Sequence, residues 1–182
     1  MMWAVFGGSF NPPHVAHQMA ALYVLETQPV DAIVVVPAYR HPFDKKLTPF
    51  QHRLEMTHLA MAPLGPRAIV SDVEREIGGE ASLTLHTLQA LHARHPGVSL
   101  RLVIGSDILP EREKWYRWEE VERIAPPIVI ARAGFPAPDE AAVEMPAVSS
   151  TEVRARLARG ESVLPLVPRS VSDYISAHGL YR

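Results

Sequence analysis

The chain contains 182 residues, 47% of them hydrophobic and 21% charged, which is too apolar for a disordered chain and long enough to bury a core of its own. Its formal net charge of −2 excludes a general electrostatic attraction to nucleic acid or to an anionic membrane surface. The absence of cysteine excludes disulfides, a thiolate nucleophile and cysteine-based zinc sites, and it favours the reducing cytoplasm. From the chain length we expect one domain spanning residues 1–182.

Short β-branched runs alternate with helical patterns along the chain. Five runs are predicted as buried strands: Trp3 to Phe6, Ala32 to Val36, Ala68 to Val70, Leu100 to Ile104 and Ile128 to Ala131. Two helices are expected after the last strand, and four are predicted between the strands: His14 to Glu26, Pro49 to Ala62, Thr84 to Arg94 and Trp118 to Ile124. This alternation predicts an α/β fold with a parallel open sheet and helices on both faces, and ligands bind such sheets beyond the carboxyl ends of the strands.

The start of the second predicted helix carries a specific capping signal. Thr48 and Gln51 fit the Thr-x-x-Gln capping box, and Pro49 suits the first helical position. The sequence therefore predicts that the Thr48 side chain caps this helix.

The first strand runs directly into the segment Gly7 to His17, which reads GGSFNPPHVAH. Its glycines let the backbone approach a ligand, its prolines stiffen the turn, and the N–H groups at the start of the helix favour an anion. His14 and His17 are three positions apart, so both imidazoles lie on one face and can donate to phosphate oxygens. A surface pair or a helix cap is the alternative interpretation. A metal site is disfavoured because no third ligand stands at a recognisable spacing.

A second segment near the C-terminus, Val148 to Arg154, reads VSSTEVR and opens another helix. Ser149 or Ser150 can cap that helix. Thr151 offers a hydroxyl and Arg154 a guanidinium fork, which are groups that bind phosphate. Taken alone, the segment is a good helix start and no more.

Together the two segments resemble the signatures of the nucleotidyltransferase superfamily, (His/Thr)-x-Gly-His in the first strand-to-helix turn and Ile-Ser-x-Thr-x-x-Arg near the C-terminus. The form GGSFNPPH is typical of the nicotinate mononucleotide adenylyltransferases. Val148 replaces the isoleucine of the second signature, and Ala16 stands at the glycine of the first. The resemblance implies a Rossmann-like nucleotidyltransferase fold and transfer of the adenylyl group of ATP to nicotinate mononucleotide.

The resemblance also implies which residues bind ATP. The implied catalytic residues are His14, His17, Arg154 and Lys46. The other implied ATP-binding residues lie in the two signature segments and at the end of the fourth strand: Gly7, Gly8, Ser9, Phe10, Gly105, Asp107, Ser149, Ser150 and Thr151. Mg²⁺ is expected to enter with ATP, held by ATP oxygens and water, with no metal site on the protein.

The acceptor side is implied by looser matches. Trp115 begins a W-x-x-W pattern whose first tryptophan stacks on the pyridine ring in the family. Leu83 stands where the family usually has tyrosine, so we expect the ring to be stacked on one side only or to be held with the help of another residue. The implied mononucleotide-binding residues are Asn11, Lys45, Thr84, Trp115 and Arg132. The choice between Lys45 and Lys46 as the phosphate contact stays open, with Lys46 preferred, and Arg132 can meet the phosphate of either substrate.

The expected reaction is in-line attack by the phosphate of the mononucleotide on the α-phosphorus of ATP, without a covalent intermediate. Transfer to nicotinamide mononucleotide, phosphopantetheine or a sugar phosphate stays open. A noncatalytic nucleotide-binding module also stays open as an alternative, and a structural or interaction protein is the least favoured one. No nucleic acid or membrane partner is expected, and the sequence leaves the oligomeric state open, homo-oligomers included.

Overall fold

The structure, a computed structural model, describes residues 1–40, 47–79, 81–138 and 143–182. Its strands are β1 Met2–Gly8, β2 Ala32–Pro37, β3 Ala68–Val70, β4 Ser99–Gly105, β5 Pro127–Arg132 and β6 Glu144–Met145. Its helices are α1 Val15–Thr27, α2 Phe50–Met61, α3 Val73–Ile77, α4 Thr84–Arg94, α5 Trp118–Ile124, α6 Ser150–Ala158 and α7 Arg169–His178. Two 3-10 segments, Ala62–Arg67 and Ser106–Lys114, follow α2 and β4. Within the described ranges, no helix has the length and the apolar run that a bilayer crossing requires.

The six strands form one sheet in the order β3-β2-β1-β4-β5-β6, and every neighbouring pair is parallel. The central strand β1 pairs with β2 on one side and with β4 on the other. All five predicted strands are present, and the parallel sheet is confirmed. Because the strand order reverses beside β1, the carboxyl ends of β1 and β4 flank a crevice, which is where open α/β sheets bind ligands.

The sheet is covered on both faces because its strands are apolar on both sides. Successive residues of β2 alternate between two core clusters, with Ile33 in one and Val34 in the other. The first cluster also contains buried residues of α1, α2 and α7, and the second contains those of α3, α4 and α5. Helices on both faces are therefore confirmed.

The capping box predicted at the second helix is wrong. Helix α2 begins at Phe50 after Pro49, and no side chain caps it. The Thr48 backbone N–H donates to Asn11 Oδ1 at 3.3 Å, and its carbonyl accepts from Arg53 Nε at 2.9 Å. Tertiary contacts with the first turn therefore fix Thr48, in place of the local capping geometry.

We expect Leu88→Ala to lower the free energy of unfolding by about 2 to 5 kcal/mol, because the side chain is fully buried in the second core cluster. The matched control is Leu22→Ala, since Leu22 is also helical but is 47% exposed, and its effect should stay within about 0.5 kcal/mol. Urea unfolding of both variants measures the difference. Equal losses in the two variants would contradict the packing of α4 against the sheet.

Candidate active site

The turn that follows β1 is built around one buried aromatic ring. Phe10 is fully buried and has a positive φ of 43°. Its ring packs edge-on against Phe6 and His17, with centroid distances of 5.7 and 4.9 Å. A Cβ atom on Gly8 would lie 3.1 Å from the Phe10 ring, so a larger residue here would force the buried ring to shift by a few tenths of an ångström. The Phe10 side chain therefore packs inside the protein and supports the turn, and only the backbone of Phe10 can contact a ligand.

The two histidines of the turn are stacked on each other. Their ring centroids are 3.7 Å apart and the planes are inclined by 22°. The His14 backbone N–H donates to Nδ1 of His17 at 3.2 Å. An Nδ1 that accepts carries no proton, so neutral His17 is held as the tautomer with its proton on Nε2, ready to donate.

Both imidazoles are held in the neutral form. Burial, and then the positive charge of Arg132, lowers the pKa of His14 to about 4. Burial, the neighbouring His14 and Arg132, in that order, hold the pKa of His17 well below its ordinary value. Nδ1 of His14 is buried and has no hydrogen-bond partner among the described residues. A buried polar atom beside a cavity is a place for a polar ligand.

The second signature segment is bonded directly to the first. Ser149 is the cap of α6, since its Oγ accepts from the Glu152 N–H at 3.2 Å. Ser150 Oγ donates to the carbonyl of Pro12 at 2.8 Å, across 138 positions of sequence. Arg154 donates through Nη1 to the carbonyl of Asn11 at 2.7 Å and through Nη2 to Thr151 Oγ1 at 3.2 Å. The start of α6 is therefore fixed beside the histidine turn.

A cavity of about 240 Å³ lies beyond the carboxyl ends of β1, β4 and β5. Seven predicted site residues line it: Gly7, His14, His17, Gly105, Asp107, Trp115 and Arg132. Ala16 also lines the cavity, with 8% of its surface exposed. The methyl group at the position of the signature's glycine is thus part of the cavity wall.

An ion pair stands at the β4–β5 side of this cavity. Arg132 Nη1 lies 2.9 Å from Asp107 Oδ2, and the Arg132 backbone N–H donates to Ser106 Oγ at 3.0 Å. A Cβ atom on Gly105 would overlap Oδ1 of Asp107, so glycine lets the carboxylate fold back over the end of β4. Asp107 thereby holds the Arg132 guanidinium beside the two histidines, close enough to lower their pKa.

Several predicted residues lie away from the cavity lining. Asn11 is 3% exposed, and its Oδ1 accepts from the Thr48 N–H and from the Tyr181 hydroxyl, the latter at 2.9 Å. Thr84 is the first residue of α4 and does not line the cavity. Lys45 and Lys46 lie outside the described residues, so their roles stay predictions. The other predicted residues of the two signature segments surround the turn without lining the cavity: Gly8, Ser9, Phe10, Ser149, Ser150, Thr151 and Arg154.

Two residues that contact the turn were missed by the sequence analysis. Arg53 is 1% exposed and donates to the carbonyl of Ser9 at 2.9 Å. Tyr181, near the C-terminus, bonds Asn11, and burial raises the pKa of its hydroxyl to about 12. The one available signal for Arg53 was its position between the apolar residues of α2, because a charged side chain on a buried helix face needs hydrogen-bond partners. Nothing local marks Tyr181.

The described ranges contain no group of three or more histidine, aspartate or glutamate side chains that could hold a metal ion. What they do contain is a cavity at the switch point of a parallel sheet, with imidazole donors, a guanidinium and a helix start around it. These features are typical of α/β proteins that bind phosphorylated nucleotides.

Comparisons with known proteins identify the family. Residues 5–156 match the model of the cytidylyltransferase-like family. The chain is 51% identical to a protein of Anaeromyxobacter dehalogenans strain 2CP-C named as a probable nicotinate-nucleotide adenylyltransferase, over 98% of this chain and 96% of that one. A protein of the same name in Myxococcus xanthus is 43% identical, with 98% and 93% covered. The chain therefore belongs to the nicotinate-nucleotide adenylyltransferase family, as its two signature segments predicted.

A solved structure supports the fold. The chain matches Plasmodium falciparum nicotinic acid mononucleotide adenylyltransferase complexed with NaAD at a TM-score of 0.83 and 22% identity, with 99% of this chain and 97% of that chain covered. The predicted Rossmann-like nucleotidyltransferase fold is confirmed.

The lowered histidine pKa values predict a stability that depends on pH. Because the pKa of His14 is about 4 in the folded chain and 6.5 in the unfolded one, only the unfolded chain takes up the proton between these values. Stability is therefore full above pH 6.5 and falls by an amount on the order of 3 kcal/mol as the pH drops to about 4. Urea unfolding across this range should show a smaller loss for His14→Gln than for the wild type. His92→Gln, at an exposed position of α4, is the control, and an identical loss in all three proteins would contradict the assignment.

Proposed function

We propose that this chain transfers the adenylyl group of ATP to nicotinate mononucleotide, forming nicotinate adenine dinucleotide and pyrophosphate in NAD biosynthesis. The observation that supports the proposal most is the stacked neutral pair His14 and His17, placed at the cavity beside the α6 segment that bonds the same turn. Family membership supports the same reaction.

The ATP side of the reaction needs donors for negative charge that grows on the α-phosphate and on the departing pyrophosphate. Neutral His14 and His17 supply N–H donors without requiring a proton from solvent, and donors fixed in advance lose no energy to reorganisation. Arg154 holds the turn through the Asn11 carbonyl and bonds Thr151, so the start of α6 adds a guanidinium and a hydroxyl. The attacking phosphate is already anionic, so no general base is needed.

The acceptor side is proposed to lie between β4, β5 and α4. Trp115 lines the cavity and is braced edge-on by Trp118, with ring centroids 5.6 Å apart, so its ring is held for stacking on the pyridine. Arg132 is placed to meet a phosphate, and Thr84 at the start of α4 suits the nicotinate carboxylate. Asn11, with Oδ1 engaged internally, would act on the mononucleotide through its remaining polar groups.

Mg²⁺ is proposed to accompany ATP. The only cavity-lining carboxylate among the described residues, Asp107, is paired with Arg132. This donor set suits an ion that keeps its waters and binds mainly phosphate oxygens, where it neutralises charge on the triphosphate. The protein is expected to act in the cytoplasm without nucleic acid or a membrane.

Pyrophosphate release from Mg-ATP tests the acceptor. Purified protein is offered nicotinate mononucleotide, nicotinamide mononucleotide and phosphopantetheine in parallel, with no acceptor as the blank. We expect the nicotinate compound to give the highest kcat/KM. Turnover of another acceptor alone would replace the proposed acceptor. ATP binding without turnover of any of the three would identify a noncatalytic nucleotide-binding module.

His17→Ala should lower kcat by about 10²-fold, which is the usual effect of removing one fixed transition-state donor. His92→Ala is the control, because His92 is an exposed helical histidine far from the cavity lining. Steady-state rates with both substrates saturating measure the effect, and circular dichroism checks folding. A folded His17→Ala protein with wild-type kcat would remove His17 from the catalytic set.

A further inference from the structure

Two buried charged residues lie outside the cavity lining and take no part in the proposed reaction. Arg53 of α2 is 1% exposed, and Glu74 of α3 is 9% exposed. Burying a charge is unfavourable unless hydrogen bonds compensate for the lost water. The contacts of these two residues therefore show what holds them there.

The guanidinium of Arg53 binds main-chain carbonyls from three separate segments. Nη1 donates to Ser9 in the turn after β1 at 2.9 Å, and Nε donates to Thr48 before α2 at 2.9 Å. Nη2 donates to Tyr39, after β2, at 3.4 Å. The planar fork of arginine is what allows one side chain to join these three segments.

Glu74 continues the connection on the other side of Tyr39. Its Oε2 accepts from the Tyr39 backbone N–H at 2.9 Å, and its Oε1 accepts from Thr87 Oγ1 of α4 at 2.9 Å. The same hydroxyl lies 3.3 Å from the carbonyl oxygen of Leu83, just before this helix, so its one proton has a closer acceptor in Glu74 and a more distant one in Leu83. The backbone of Tyr39 is thus held from both sides, by Arg53 at its carbonyl and by Glu74 at its N–H. An unbroken series of polar contacts runs from Ser9 to α4.

We propose that Arg53, Glu74 and Thr87 are positioning residues that couple the ATP-binding turn to helix α4 on the acceptor side. The inference rests on the proposed function, in which the turn holds ATP and the start of α4 holds the nicotinate carboxylate. In-line transfer requires the two reacting phosphates in one relative geometry, and a small misplacement is enough to slow the reaction. Hydrogen bonds to charged groups are among the stronger fixed contacts in proteins, so this series suits the purpose.

A matched pair of substitutions at Thr87 tests the α4 end of the series. Thr87→Val keeps the shape but removes the hydroxyl that donates to Glu74, whereas Thr87→Ser keeps the hydroxyl. We expect Thr87→Val to raise the KM for nicotinate mononucleotide by about three- to tenfold, in line with the net effect of losing one hydrogen bond, and to change the KM for ATP by less than about twofold. Thr87→Ser should behave as the wild type. Equal behaviour of the two variants, or an equal rise in both KM values, would overturn the proposal.

A double-mutant cycle tests whether the two ends act together. Arg53→Lys keeps the charge and loses the fork, and we expect a fall in kcat/KM of about tenfold. In Arg53→Lys/Thr87→Val the combined effect should be smaller than the product of the single effects by at least about threefold. Arg67→Lys is the control, because Arg67 also donates to a main-chain carbonyl, that of Leu25 at 2.9 Å, on a different part of the fold. Its rates should match the wild type.

The outcomes separate the two proposals. A wild-type protein that makes no product from nicotinate mononucleotide would overturn the proposed function and, with it, this inference. An active wild type whose Arg53 and Thr87 effects simply multiply would overturn the coupling alone. Where thermal unfolding shows that Arg53→Lys does not fold, Glu74→Gln takes its place in the cycle with the same expected non-additivity.

Discussion

The site depends on one junction, the hydrogen bonds that join the start of α6 to the turn after β1. Arg154 and Ser150 donate to the carbonyls of Asn11 and Pro12, which are consecutive residues of a turn that has left the sheet. Backbone carbonyls outside regular structure need donors when they are buried, and here the donors come from the other end of the chain. The Tyr181 hydroxyl adds a third contact, to Asn11 Oδ1. The geometry of the histidine turn is therefore held by contacts from the C-terminal part of the chain.

That junction holds the turn in which Nδ1 of His14 is buried without a hydrogen-bond partner among the described residues. Burial that lowers the pKa of His14 to about 4 reduces stability only below pH 6.5, and the packing of Phe10 and the contacts of α6 hold the turn in place. The same burial keeps the imidazoles as neutral donors in a dry environment, where a hydrogen bond to phosphate is stronger than in water. Titratable groups with shifted pKa values in a cleft are typical of active sites, and this pair follows the rule.

Features that repeat, or whose residues lie close together along the chain, could be predicted from the sequence. All five predicted strands are present, because buried parallel strands are continuous apolar runs, and the two signature segments lie next to each other as the family resemblance implied. Strand β6 has two residues and α3 has five, too few for any periodicity to appear. The capping box predicted at Thr48 failed for a different reason. The local sequence fits a capping box, but Thr48 instead bonds Asn11, which lies 37 positions away in the sequence. The roles of the individual site residues stay predictions.

The replacement of tyrosine by Leu83 changes how the proposed acceptor can be held. Leu83 precedes α4 in an extended conformation, and its carbonyl accepts from the Thr87 N–H at 3.2 Å and from the Thr87 hydroxyl. Without an aromatic ring here, the pyridine has Trp115 as its one predicted stacking partner, and a ring held on one face keeps freedom to slide. In the proposed function, the start of α4 supplies the missing restraint through the nicotinate carboxylate, because a carboxylate bound at a helix N-terminus is fixed in direction. A chain that relies on this helix for alignment gains more from contacts that hold the helix in place. The polar series from Ser9 to Thr87 provides them.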